Sequence, residues 1–159
     1  MDSMVELAKR AEVLGSPDRE VDLAVHCTLI GKAFRWSVFG GAYPDQKEIA
    51  VEVLPERLET DPFWFQKAEI IRVPAYTSSL DAAMSIVPEG WFWMAGNRDR
   101  LTPRAYIENG KSAYIGIGST PNPERRWFET TAPTPALALT IAALYCRASI
   151  DAAGLEGGG

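Results

Sequence analysis

The fold turns on the run Trp91-Phe92-Trp93-Met94-Ala95 and, beyond it, Arg104-Ala105-Tyr106-Ile107-Glu108-Asn109-Gly110-Lys111-Ser112-Ala113-Tyr114-Ile115-Gly116-Ile117. Alternation puts Trp91 and Trp93 on one face of a strand and Phe92 and Met94 on the other. Asn109-Gly110 separates two further extended runs, Arg104 to Glu108 and Lys111 to Ile117. That dipeptide is the strongest short hairpin signal, because both turn positions need a positive φ. The stretch therefore predicts neighbouring antiparallel strands joined tightly at Asn109-Gly110. Arg126 to Thr130 reads as a further edge strand.

Working outward, a helix is predicted on each side. Ser78 begins one, with Asp81 three residues on as in a capping box, and Leu80, Ala83, Met84 and Val87 make its apolar stripe. Pro88-Glu89-Gly90 then turns the chain. On the far side Thr134 caps the last helix, with Pro135 at its first position and Leu137, Ile141, Leu144, Tyr145 and Ala148 following. Adjacent strands between helices argue for an antiparallel sheet rather than βαβ units. Toward the N-terminus, Ser3 caps a helix to about Leu14. Ser16 caps a second helix with Pro17 at its first position, its inner face being Val21, Ala24, Val25 and Thr28. Ala33 to Phe39 and Glu48 to Val53 read as a strand pair, and Ile70 to Val73 as a short strand halted by Pro74. Leu54 to Gln66 reads as a loop that drops Phe63, Trp64 and Phe65 onto the core. The expectation is one α+β domain over residues 1–153: a layered α/β/α sandwich with an antiparallel meander sheet. It comprises a helical hairpin at about 3–30, and the sheet and its helices at about 33–153. The N-terminal helices are expected on the second face of the sheet, and residues 154–159 read as a flexible tail.

With 159 residues, 47% hydrophobic and 23% charged, the chain can bury an ordinary globular core. Cys27 and Cys146 lie in apolar helical contexts and read as buried thiols in a reducing compartment. The N-terminus lacks the basic start and apolar run of a signal peptide, and the apolar stretch Ala136 to Cys146 is too short to span a bilayer. A cytoplasmic protein with no membrane partner is the expectation.

Net charge is −5, which argues against general nucleic-acid binding. Between Asn97 and Trp127, however, Arg98, Arg100, Arg104, Lys111, Arg125 and Arg126 outnumber Asp99, Glu108 and Glu124, giving +3 locally and leaving −8 elsewhere. A small basic region on an acidic protein suits a compact anion. Arginine pairs with phosphate through a bidentate fork, and an aromatic face stacks a base. The candidate ligand-binding residues are Arg98, Arg100, Arg104, Arg125 and Arg126, with Trp93 and Trp127 for stacking. Ser78 adds the free N–H groups of a helix start.

Catalytic patterns fail one by one. Gly110-Lys111-Ser112 resembles the tail of a phosphate loop, but Ala105 stands where its first glycine belongs and a strand, not a helix, follows. Gly116-Ile117-Gly118 lacks the third glycine of a dinucleotide fingerprint. His26 is the only histidine and has no companion ligands at metal spacing. No carboxylate pair has a diagnostic spacing. The expectation is no catalytic residue, no metal and no cofactor.

Three segments carry a resemblance: Val73-Pro74-Ala75-Tyr76-Thr77-Ser78-Ser79-Leu80-Asp81-Ala82-Ala83 with Val87-Pro88-Glu89-Gly90-Trp91; Ala132-Pro133-Thr134-Pro135-Ala136-Leu137-Ala138-Leu139; and Gly15-Ser16-Pro17-Asp18-Arg19-Glu20-Val21-Asp22. Together they resemble small uncharacterised proteins encoded in phages and prophages of proteobacteria. The layout is similar to the phage ABA-sandwich domain family. The resemblance covers about residues 70–150 and implies an accessory protein acting in the cytoplasm of a bacterial host cell. Two functions fit that context. One is anti-defence sequestration of a small anionic nucleotide-like ligand, such as a host immune signal, without catalysis. The other is a protein-interaction module that blocks a host protein or serves phage assembly, for which Asp61-Pro62-Phe63-Trp64-Phe65 is an anchor if exposed. A nucleotide-degrading enzyme is a third. A homo-oligomer is expected, because pockets at subunit interfaces bury a ligand fully.

Overall fold

A computed structural model describes residues 2–37, 48–55, 58, 60–97, 102–110, 114–115, 120–122 and 124–156. The described chain is α+β, with four helices and two three-stranded antiparallel sheets among the described residues, plus a two-stranded ribbon. Helix α1 spans Met4–Glu12 and begins at Ser3, whose side chain accepts from the Glu6 N–H while Glu6 returns a bond to the Ser3 N–H. Helix α2, Arg19–Ile30, is capped by Asp18, not Ser16. The Asp18 carboxylate accepts from the N–H groups of Glu20 and Val21. Its own N–H donates to the Thr77 hydroxyl at 3.0 Å, a tertiary contact that fixes the helix start beyond Pro17.

Strands β1 (Phe34–Trp36), β2 (Ile49–Glu52) and β3 (Ile70–Arg72) form the N-terminal sheet in that order; the β1–β2 pair is the one expected from the sequence, and the pairing of β3 is not. Phe34, Ala50 and Val73, with Trp36 and Ile71 partly buried, pack on Leu23 and Cys27 of α2. The loop aromatics depart from expectation. Phe63 and Phe65 are 59% and 54% exposed, the first capping and the second within a single 3-10 turn at Trp64–Gln66. Trp64 lies under the guanidinium of Arg35 instead of entering the core.

Helix α3, Leu80–Ser85, is capped by Ser79, whose hydroxyl accepts from the Ala82 N–H. Ser78 belongs to the preceding turn, so the expected box with Asp81 does not form. Strands β4 (Phe92–Asn97), β5 (Pro103–Glu108) and β8 (Trp127–Thr131) make the C-terminal sheet, with β5 central. β6 (Tyr114–Ile115) and β7 (Thr120–Pro121) pair with each other. This corrects the hairpin at Asn109-Gly110. Both edges of β5 are taken, by β4 and by β8, so the chain after Gly110 cannot fold back on it. Gly110 does adopt a φ of 70°. Asn109 instead closes the neck of an excursion: its amide donates to the Glu124 carbonyl at 2.6 Å, and its side-chain oxygen accepts from the Arg126 N–H at 3.2 Å.

Helix α4, Pro135–Glu156, is the axis of the molecule. The Thr134 hydroxyl accepts from the Leu137 N–H as predicted, but the helix runs on through Gly154. Residues 136–144 are buried without a break, the pattern of a helix enclosed on all sides. Pro135–Gly154 is long and apolar enough to cross a membrane by length and composition, contrary to the shorter reading above. Here its flanks are covered by Leu7, Ala8 and Ala11 of α1, Ala83 of α3, and Ala105 and Ile107 of β5. Helix α1 thus packs on α4, with α2 against α1 and β1, and neither lies on the sheet's second face. α2 joins the two cores, with Val21 and Val25 in the larger cluster and Leu23 and Cys27 in the smaller.

Thr77 ties the three resemblance segments together. Its hydroxyl meets Asp18, its N–H donates to Asp22 Oδ1 at 2.7 Å, and its carbonyl accepts from the Thr134 hydroxyl at 3.5 Å. Arg19 adds bonds to the carbonyls of Val73 and Pro74 and a 2.7 Å ion pair with Asp22. These contacts give the segments an architectural role.

Candidate functional site

Registration of the C-terminal sheet sorts its side chains into two faces. Trp93, Ile107 and Phe128 are cross-strand neighbours and face α4, as do Ala95, Ala105 and Thr130. The rows Phe92–Glu108–Trp127, Met94–Tyr106–Glu129 and Gly96–Arg104–Thr131 face the other way. No described helix covers them: Phe92 is 50%, Met94 57% and Trp127 50% exposed.

Two features share this open face. The first is a cluster at the end of β8. Arg125 donates to the Tyr106 hydroxyl at 2.7 Å and to Glu108 Oε2 at 3.3 Å, and Tyr106 donates to the same Glu108 oxygen at 2.6 Å. The Tyr106 ring stacks on Trp127 with centroids 6.0 Å apart, and the Arg125 guanidinium lies 6.0 Å from the Trp127 ring centre. Partial burial and the neighbouring Glu108 carboxylate raise the Tyr106 pKa, keeping the phenol a donor. The second feature is a cleft of about 640 Å³ lined by Met94, Gly96, Asn97, Arg104, Tyr106 and Glu129. Arg104 pairs loosely with Glu129 at 3.8 Å. Its Nε–H is buried and has no hydrogen-bond partner among the described residues. A buried donor left without a partner costs about 1–3 kcal/mol, so a group that supplies an acceptor there gains by it.

The predicted site residues divide accordingly. Arg125 and Trp127 come together on the open face, and Arg104 shares that face two rows away. Trp93 does not, because it sits one residue out of phase with Met94 and packs inward. Arg126 turns to the α4 side, its guanidinium 3.5 Å from the Ser149 carbonyl. Ser78 is exposed in the turn before α3, outside the sheet. Arg98 and Arg100 lie outside the described residues. The described face is not a pure cationic patch, since Glu108 and Glu129 balance Arg104 and Arg125. Sequence reasoning missed Tyr106, Glu108, Met94 and Glu129. Alternation relative to Trp93 was the signal that could have placed Met94, while the others needed the β5–β8 register.

A second hollow, beside α2 and β3, holds His26, Lys32, Glu69 and Arg72. His26 Nδ1 is 3.0 Å from the Tyr76 hydroxyl, and burial lowers the imidazole pKa and pushes the phenol up to about 12. Lys32 is occupied by Glu69 and Glu52. No group of three or more His, Cys, Asp or Glu side chains suited to a metal occurs among the described residues. Comparison of the chain with protein-family models, with curated proteins and with solved structures gives no match.

Proposed function

We propose that this chain is a non-catalytic binding protein that holds a small anionic, nucleotide-like ligand on the open face of its C-terminal sheet. The observation that carries the reading is the buried Arg104 Nε–H at the cleft, without a hydrogen-bond partner among the described residues and one row from Tyr106 of the Arg125–Tyr106–Trp127 cluster. A phosphate oxygen would satisfy Arg104, and a base would stack beside Trp127. Glu129 and Glu108 would accept from amino or hydroxyl groups, which suits a nucleotide better than a bare inorganic anion. The phage origin, the anti-defence role, the host cytoplasm and the layered α/β/α sandwich belong to the same proposal, the sandwich requiring something to cover the open face. Calorimetric titration with linear and cyclic nucleotides tests it. Arg104→Ala should weaken binding by roughly 1.5–3 kcal/mol, the value of a hydrogen bond to a charged group. Ligand recovered intact after denaturation supports sequestration, and altered ligand points to an enzyme. No binding to the wild type at high micromolar concentration ends the reading.

A protein-partner reading has its own support in the exposed Phe63 and Phe65, which are apolar anchors held on the surface. Pull-down of a specific partner lost in a Phe63→Ser, Phe65→Ser double variant would favour it.

A further inference from the structure

Edge strands present unpaired backbone groups, and proteins ordinarily guard them with charge, proline or brevity. Three edges of the two larger sheets follow this rule. β1 and β3 are three residues each and carry Arg35 and Arg72; β8 has five and carries Glu129. The fourth edge does not. β4 reads Phe92-Trp93-Met94-Ala95-Gly96-Asn97, six residues with no charge and no proline. No described residue hydrogen-bonds to its outward backbone groups. Phe92 and Met94 are half exposed beside that edge.

We propose that β4 pairs antiparallel with β4 of a second copy of this chain, joining two three-stranded sheets into one across a two-fold axis. A strand paired with itself is its own complement. Every pair across the axis is uncharged here, so no like charges meet, and Phe92 and Met94 gain apolar cross-strand neighbours. An axis perpendicular to the sheet keeps both α4 helices on one side and both open faces on the other. The cleft gains most. Met94, Gly96 and Asn97 form its wall along β4, and no described strand pairs with β4 beyond them. The second copy extends that wall, so each cleft is completed by the partner's β4. A foreign extended peptide could add to the same edge, and the test separates the two.

The experiment uses the ligand-free chain, so its failure leaves the ligand reading standing. Light scattering after gel filtration should give twice the 17.5 kDa of one chain. Met94→Lys places two like charges near the axis and should halve that mass, as should Met94→Glu. Mixing the two variants should restore the doubled mass through an opposite-charge pair. Hydrogen exchange should show β4 amides protected in the wild type and released in Met94→Lys, with α4 amides unchanged as the check on folding. A wild-type monomer at high micromolar concentration overturns the proposal and leaves the edge to another chain. So does a Met94→Lys variant that stays dimeric, or a mixture that stays monomeric.

Discussion

Asp22 is fully buried, yet it faces a guanidinium and a backbone N–H. Burial is the dominant influence and raises its pKa, while the bonds from Thr77 and Arg19 pull the other way. The folded state therefore binds this proton more tightly than the unfolded chain does. Its contribution to stability is highest at acid pH and falls as pH rises from the ordinary value of 3.8 to the raised one. Asp22→Asn mimics the protonated form and keeps an acceptor for Thr77. It should lose that slope, so that urea midpoints of variant and wild type diverge with rising pH and then run parallel; superimposable pH profiles would contradict this. Asp22→Ala also removes the acceptor and should be about 1–3 kcal/mol less stable than Asp22→Asn at any pH, because the Thr77 N–H is left buried and unpaired. Arg104 invites the opposite expectation. Arg104→Met removes an unsatisfied buried donor and leaves Glu129, which faces solvent. Without ligand it should raise stability by up to about 1–3 kcal/mol, less the small contribution of the loose Glu129 pair, and it should weaken ligand binding as Arg104→Ala does. Destabilisation instead would mean Arg104 serves the fold.

At the scale of elements, α4 sets the energetics. Leu144 is wholly buried in the larger apolar cluster, and Leu144→Ala should cost roughly 2–5 kcal/mol by denaturant melt. Met84, half out of the core on α3, should cost under about 1 kcal/mol when cut to alanine. Elements built by local chemistry were legible in the sequence. The Ser3 and Thr134 caps, the strand alternation and the buried last helix stand where composition and spacing put them. What escaped was non-local. Asn109-Gly110 carries a hairpin signature, but the competition for β5 is decided by β8, which arrives after a long excursion. Ser16 and Ser78 are sound caps in isolation, and they lose to Asp18 and Ser79 through contacts at Thr77 or one residue of register. Among the site residues, arginine content was visible, whereas the face each arginine occupies depends on phase. Arg125 and Arg126 are neighbours in sequence and turn to opposite sides.

Across the molecule, two apolar clusters among the described residues share helix α2, and each holds a single free thiol. Cys27 sits in the smaller cluster and accepts from the Phe34 N–H at 3.3 Å. Cys146 sits in the larger one, where burial pushes its thiol up to about 12. The smaller cluster is roofed by strands of three and four residues, and the larger by the long helix and longer strands. A slow thiol reagent, read peptide by peptide in a mass spectrometer, therefore has two internal clocks. Cys27 should be modified first under native conditions, because opening the short sheet exposes less surface than global unfolding does. With increasing urea the two rates should converge as global unfolding overtakes local opening. Equal rates from the outset would mean that α2 couples the clusters so tightly that neither opens without the other.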